Sequence, residues 1–63
     1  MIVYNGTKVF ILKGKYKGKI GTVLCRSEFG GGYYEIELNN VLDKNDNPIK
    51  KWYHMTSFDH VQA

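Results

Sequence analysis

Four lysines alternate with other residues in one short segment, and their charge and spacing favour contact with phosphate groups. The segment covers residues 12–19, reads LKGKYKGK, and carries Lys13, Lys15, Lys17 and Lys19 around Tyr16; we call it the basic loop. Each lysine that neutralises a phosphate releases counterions and adds affinity without base preference. The Tyr16 ring can pack on a base or a sugar. The loop has no Arg, Asn or Gln for bidentate base contacts, so we expect weak sequence readout.

The charge of the whole chain is unevenly distributed. The 63 residues carry a net charge of +3, with six basic and no acidic residues in 1–26 but three basic and six acidic residues in 27–63. This asymmetry indicates one basic surface with a polyanion as its simplest partner, although lysines can also serve solubility alone. The candidates for outer contacts around the loop are Lys8, Arg26, Lys50 and Lys51.

The cysteine content and the hydropathy pattern indicate a cellular compartment. A single cysteine, Cys25, cannot form an internal disulfide, whereas small secreted domains usually need several. The sequence has no apolar run of about 18 residues and no pattern typical of a signal peptide. We therefore expect a cytoplasmic protein with no membrane partner.

Residue types that perform catalysis or bind metals occur without the spacing that such sites need. Cys25, His54, Asp59 and His60 form no CxxC or HxxxH pair, so we expect no zinc site, and Cys25 is interpreted as a small core residue. Glu35 and Glu37 share one strand face without a cleft. The sequence predicts neither an enzyme nor a cofactor.

Alternating apolar and polar residues predict five short strands that must position the basic loop. Their inner faces carry Val9 and Ile11, then Val23 and Cys25, then Tyr34, Ile36 and Leu38, and finally Val61. A polar connection over 39–48 precedes the fourth strand, and MTSF forms a single helical turn that Thr56 or Ser57 caps. The strands are expected at 7–12, 21–26, 33–38, 49–53 and 59–63.

Five strands with no long helix predict an all-β domain, a small closed or nearly closed barrel with a short 3₁₀ turn before the last strand. We expect residues 1–63 to form one monomeric domain, the N-terminal part of a longer protein.

Several large apolar residues have two open interpretations. Phe10, Leu12 and Leu24 fall opposite the expected core, where they are either covered by the coiling of the strands or exposed to a partner. Aromatic residues dominate small cores, so we assign Tyr34, Trp52 and Phe58 to the core. The alternative is an aromatic cage for methylated lysine, formed by Tyr33, Tyr34, Trp52, Tyr53 and Phe58.

The glycine spacing resembles the KOW motif of SH3-like barrels in NusG-type elongation factors and ribosomal proteins. The matching residues are Gly6, Val9, Ile11, Gly14, Lys17, Gly18, Gly21 and Val23, whereas Thr7 stands where the family usually has Asp. The resemblance implies a five-stranded SH3-like (Tudor-like) barrel that binds DNA, RNA or protein. The stretch MIVYNGTKVFILKGKYKGKIG also resembles the N-terminal domain of the MotB-like transcription modulators of T-even phages. This resemblance implies binding to duplex DNA and, if a phage encodes the chain, a location in the host cytoplasm.

These observations predict a DNA-binding domain that modulates transcription and contacts duplex DNA with little sequence specificity. Two alternatives stay open. One is a KOW domain that binds RNA. The other is a protein-interaction module that docks on RNA polymerase or another host factor through Phe10, Leu12 and the segment after the third strand.

Overall fold

The computed structural model describes residues 3–61, which form five antiparallel strands in one sheet. The strands follow the order β4-β3-β2-β1-β5, so the last strand pairs with the first. The expected all-β fold of five strands, with a 3₁₀ turn before the last strand, is confirmed. No helix within residues 3–61 is long and apolar enough to span a membrane. The elements are β1 (Lys8–Ile11), β2 (Ile20–Arg26), β3 (Tyr33–Leu42), β4 (Pro48–His54), the 3₁₀ turn (Met55–Ser57) and β5 (Phe58–His60).

The core lies on the inner face of the curved sheet. Buried and more exposed side chains alternate along β1 and β3 as the sequence predicts, because every second side chain of a strand points to the same face. The Tyr34 and Phe58 rings meet edge to face with centroids 5.7 Å apart. The buried side chains are Val9, Ile11, Val23, Tyr34, Ile36, Leu38 and Phe58.

A β-bulge in β2 overturns the prediction for Cys25. The register between β2 and β3 shifts between Val23 and Cys25, so Val23 pairs with Ile36 whereas Cys25 pairs with Glu35. The extra residue turns Cys25 away from the core face, because a bulge breaks the two-residue alternation. Cys25 is only half-buried, and its Sγ lies 3.8 Å from Oε1 of Glu35 on the outer face.

Two further core assignments are wrong. Trp52 is 52% exposed, because it pairs with the outer-facing Glu35 and therefore lies on the outer face of β4. Val61 follows the end of β5 and is also exposed, while residues 62 and 63 lie outside the described part. Among the residues with two interpretations, Phe10 and Leu24 are half-buried and Leu12 is exposed.

The connection between β3 and β4 is shorter than expected. β3 continues to Leu42 through an irregularity near Asn40, whose φ is +59°, and leaves a tight loop over 43–47. The Asp43 carboxylate closes this loop by accepting hydrogen bonds from the backbone N–H groups of Asn45 and Asn47.

The cap of the 3₁₀ turn also differs from the expectation. Nδ1 of His54, rather than Thr56 or Ser57, accepts the hydrogen bond from the backbone N–H of Thr56. His54 is the N-cap residue of the turn: it directly precedes the turn and has the extended backbone conformation that is typical of capping residues.

Candidate nucleic-acid interface

Backbone hydrogen bonds hold the basic loop in one conformation. At its base, the Ile11 N–H donates to the Lys19 carbonyl at 2.9 Å and the Gly18 N–H donates to the Ile11 carbonyl at 2.7 Å. The Leu12 N–H donates to the carbonyl of Ser57 at 2.8 Å, which attaches the loop to the 3₁₀ turn. A loop fixed in this way loses less conformational freedom when it binds a ligand.

Two glycines set the path of the loop and leave open space beside it. Gly14 and Gly18 have φ values of +88° and +87°, which strain residues with a Cβ. Gly18 is the third residue of a turn in which the Lys19 N–H donates to the Tyr16 carbonyl at 3.0 Å. A Cβ at either glycine would meet no atom within 4 Å, so a ligand backbone can approach closely.

Gly21 has a purely structural role. It is buried in β2, where a Cβ would overlap the Cγ2 methyl of Ile36 and lie 3.1 Å from the carbonyl oxygen of Glu37. Its missing side chain therefore lets β3 pack against β2, and the space at this position is already filled by the core.

Tyr16 connects the basic loop to β4. Its ring is half-buried and packs against the core, and Nζ of Lys15 and Nζ of Lys51 lie 5.6 Å and 5.4 Å from its centroid. Both distances fall within the range of cation–π attraction. Both charges therefore lie near the same ring, and the predicted extension of the basic loop by Lys51 has a structural basis.

Tyr53 lies beneath this group and was not predicted as part of it. Burial raises the pKa of the Tyr53 phenol above its ordinary value of 10.0, and the neighbouring Tyr16 phenol raises it further. The alternation of β4 places Tyr53 and Lys51 on the same face of the strand. That spacing is the signal by which the sequence could have linked Tyr53 to the site.

Lys8 and Lys50 lie on the outer face of the sheet, away from this group. In the sheet, β3 separates β4, which carries Lys50, from β2. Lys50 stands opposite Glu37 on β3, and Lys8 donates a hydrogen bond from Nζ to Oγ1 of Thr22 at 2.7 Å. Both side chains therefore have polar neighbours on the outer face.

Arg26 is remote from the basic loop. β2 begins directly after the loop at Ile20 and ends at Arg26, which places Arg26 about 20 Å away along an extended strand. The lysines of the basic loop other than Lys15 are also exposed, namely Lys13, Lys17 and Lys19. The compact site is thus the basic loop with Lys51.

The residues of the alternative aromatic cage do not come together. Tyr34 and Phe58 are buried in the core, whereas Tyr33 and Trp52 are exposed on the outer face. Within residues 3–61, no three His, Cys, Asp or Glu side chains form a group that could hold a metal ion.

Comparison of the chain with protein-family models, with curated proteins and with solved structures gives no match.

Proposed function

We propose that this domain binds duplex DNA through the basic loop and Lys51, by neutralising backbone phosphates. The observation that carries the proposal is the approach of Lys15 and Lys51 to one half-buried ring, Tyr16, on a loop with three more exposed lysines. Such a concentration of charge attracts a polyanion and steers its approach. The resemblance to the MotB-like modulators adds a role in transcription.

Tyr16 acts as a positioning residue in this mechanism. Part of its ring is covered by the core, and two ammonium groups lie over it, so it presents no free platform for a base. Single-stranded nucleic acids are commonly bound by stacking on such platforms, whereas a duplex offers its phosphates without unstacking. The loop therefore suits a duplex better than a single strand.

The glycines contribute open space beside the loop. Side chains are absent at Gly14 and Gly18, so a phosphate backbone can come close enough for the lysines of the loop to reach it. Lys8, Lys50 and Arg26 are left out of the mechanism, because their positions do not join them to the loop.

The test is a titration of the protein into labelled duplex DNA, single-stranded DNA and duplex RNA at 50 and 200 mM salt. Four or five phosphate contacts predict that affinity for duplex DNA falls on the order of a hundredfold across this range. Single-stranded DNA should bind more weakly. Affinity that does not change with salt would overturn the proposal, and so would equal or tighter binding to the single strand.

A further inference from the structure

The end of the sheet opposite the basic loop carries an exposed aromatic groove. Phe29 in the β2–β3 loop is 99% exposed, Trp52 on β4 is 52% exposed and Tyr33 at the start of β3 is 48% exposed. These three residues line one open groove together with Cys25 and Glu28. Large aromatic residues so exposed are typical of sites that bind another molecule.

Two carboxylates accompany the rings. Glu28 lines the groove, and Glu35 stands opposite Trp52 in the register on the outer face, with its Oε1 near the Cys25 thiol. Among the lining residues, the charges of Glu28 and Arg26 cancel. Farther along the same face, Lys50 stands opposite Glu37 and these charges also cancel, so Glu35 gives the region an excess of one negative charge. This balance contrasts with the net charge of +3 on the whole chain.

The charges select among the molecules that aromatic residues can bind. Nucleic acids also stack on exposed rings, but the two carboxylates would repel their phosphates. A cationic side chain gains both from the carboxylates and from the ring faces, and the attraction is strongest for tryptophan. Apolar neighbours of that cation would cover Phe29 and the apolar edges of Tyr33.

We propose that this groove binds an extended segment of a partner protein in which arginine or lysine alternates with apolar residues. The groove and the basic loop lie at opposite ends of β2, about 20 Å apart along the strand. Lys51 joins the DNA site from β4, where it is adjacent to Trp52, but alternation places the two side chains on opposite faces of the strand. A duplex on the face of Lys51 therefore leaves the groove accessible, and the domain can hold a protein partner beside DNA. The groove proposal does not depend on the DNA-binding proposal.

Trp52 supplies the measurement, because it is the chain's single tryptophan and lies in the groove. Its emission is recorded while the peptide (Leu-Arg)₃ is added up to millimolar concentration, with (Leu-Gln)₃ and (Leu-Glu)₃ as controls. The net charge of +3 would favour the glutamate peptide in a non-specific interaction. A saturable shift with the arginine peptide, at least about tenfold tighter than with the glutamate peptide, is the expected result.

Two variants test whether the groove is the binding site. Phe29→Ser removes a ring that makes no core contact, so the fold is retained and binding of the arginine peptide should be lost. Glu35→Gln should weaken binding of the arginine peptide about threefold to fivefold, which is the size of effect expected for an exposed pair of opposite charges. Binding of duplex DNA should be unchanged.

Four results would overturn the proposal. The first is equal or better binding of the glutamate peptide, and the second is no shift with any peptide. The third is a saturable shift when oligothymidine is added in place of a peptide, which would make the groove a surface for single-stranded nucleic acid. The fourth is a dependence of the emission on protein concentration that Phe29→Ser removes, which would assign the groove to a second copy of the chain.

Discussion

The ammonium group of Lys51 on β4 lies 5.4 Å from the centroid of the Tyr16 ring in the basic loop. This contact joins two parts of the chain that pairing within the sheet does not bring together, because β4 pairs only with β3 in the strand order. The loop folds over the inner face of the sheet, where Tyr16 packs against the core. The position of Lys51 thus depends on the three-dimensional path of the loop.

Replacing Tyr16 tests its role as a positioning residue. Tyr16→Leu removes the ring beneath Lys15 and Lys51, and each cation–π contact contributes about 0.5–1 kcal/mol at exposed sites. We expect affinity for duplex DNA to fall about threefold to tenfold, with the ratio between duplex and single strand unchanged. Fluorescence anisotropy measures both affinities.

Tyr16→Phe is the matched control, because it keeps the ring and removes only the hydroxyl. It should retain the affinity of the unchanged chain. A selective loss of single-strand binding in Tyr16→Leu would instead mean that the ring stacks on bases.

Substitutions of the glycines should separate backbone strain from packing. Gly18→Ala places a Cβ at φ +87° without a clash, so about 1–2 kcal/mol of stability should be lost to strain alone. Gly21→Ala should cost about 1–3 kcal/mol by overpacking against Ile36. Denaturant unfolding measures both losses.

A D-alanine at each position, introduced by chemical synthesis, is the control. At Gly18 a D residue accepts the positive φ and has open space, so stability should return to at least that of the glycine form. At Gly21, whose φ is not positive, D-alanine should give no such recovery. A rescue at Gly21 and none at Gly18 would contradict the assigned roles.

The stability of the domain should fall at alkaline pH through Tyr53. The pKa of its phenol is raised above 10.0 in the folded state, first by burial and then by Tyr16. Near pH 10 the unfolded chain releases the phenol proton that the folded state still holds. The stability that Tyr53 contributes is therefore present below that pH and is lost as pH rises through the folded pKa. Unfolding free energies measured from pH 8 to 11 should decline above about pH 10.

Tyr53→Phe removes this titration and should flatten that part of the curve. Tyr16→Phe should remove only the charge of Tyr16, the smaller of the two causes that raise the Tyr53 pKa, so the unfolding free energy should still decline above about pH 10. An equal decline in Tyr53→Phe and the unchanged chain would show that another group is responsible.

Alternation identifies much of the core from the sequence, because Val9, Ile11, Ile36 and Leu38 lie on regular strands with one buried face. It fails for Cys25, since the bulge adds a residue and nothing in VLCR indicates where a register shift occurs. It fails for Trp52 because a large aromatic residue suits either face of a strand, and only the pairing with Glu35 places it outside.

The candidate site was predictable to a similar extent. The lysine pattern indicates the basic loop directly, since its residues are adjacent in sequence. Alternation also places Lys50 and Lys51 on opposite faces of β4. Which of the two joins the loop depends on how the loop packs over the sheet, and a strand pattern contains no information on that packing.

The central claim is that the position of the lysines, rather than the net charge, produces DNA binding. Two double variants test it, Lys15→Gln with Lys17→Gln in the loop and Lys8→Gln with Lys50→Gln on the outer face of the sheet, each lowering the net charge from +3 to +1. All four side chains are exposed, so both variants should keep the fold, which circular dichroism checks.

The measurement is the affinity for one duplex DNA across a series of salt concentrations. The loop variant should bind at least about tenfold more weakly at 50 mM salt, and its slope of log affinity against log salt should be smaller by about 2. The other variant should keep the slope of the unchanged chain. Equal losses of affinity and slope in the two variants would contradict the account, because net charge alone would then explain the binding.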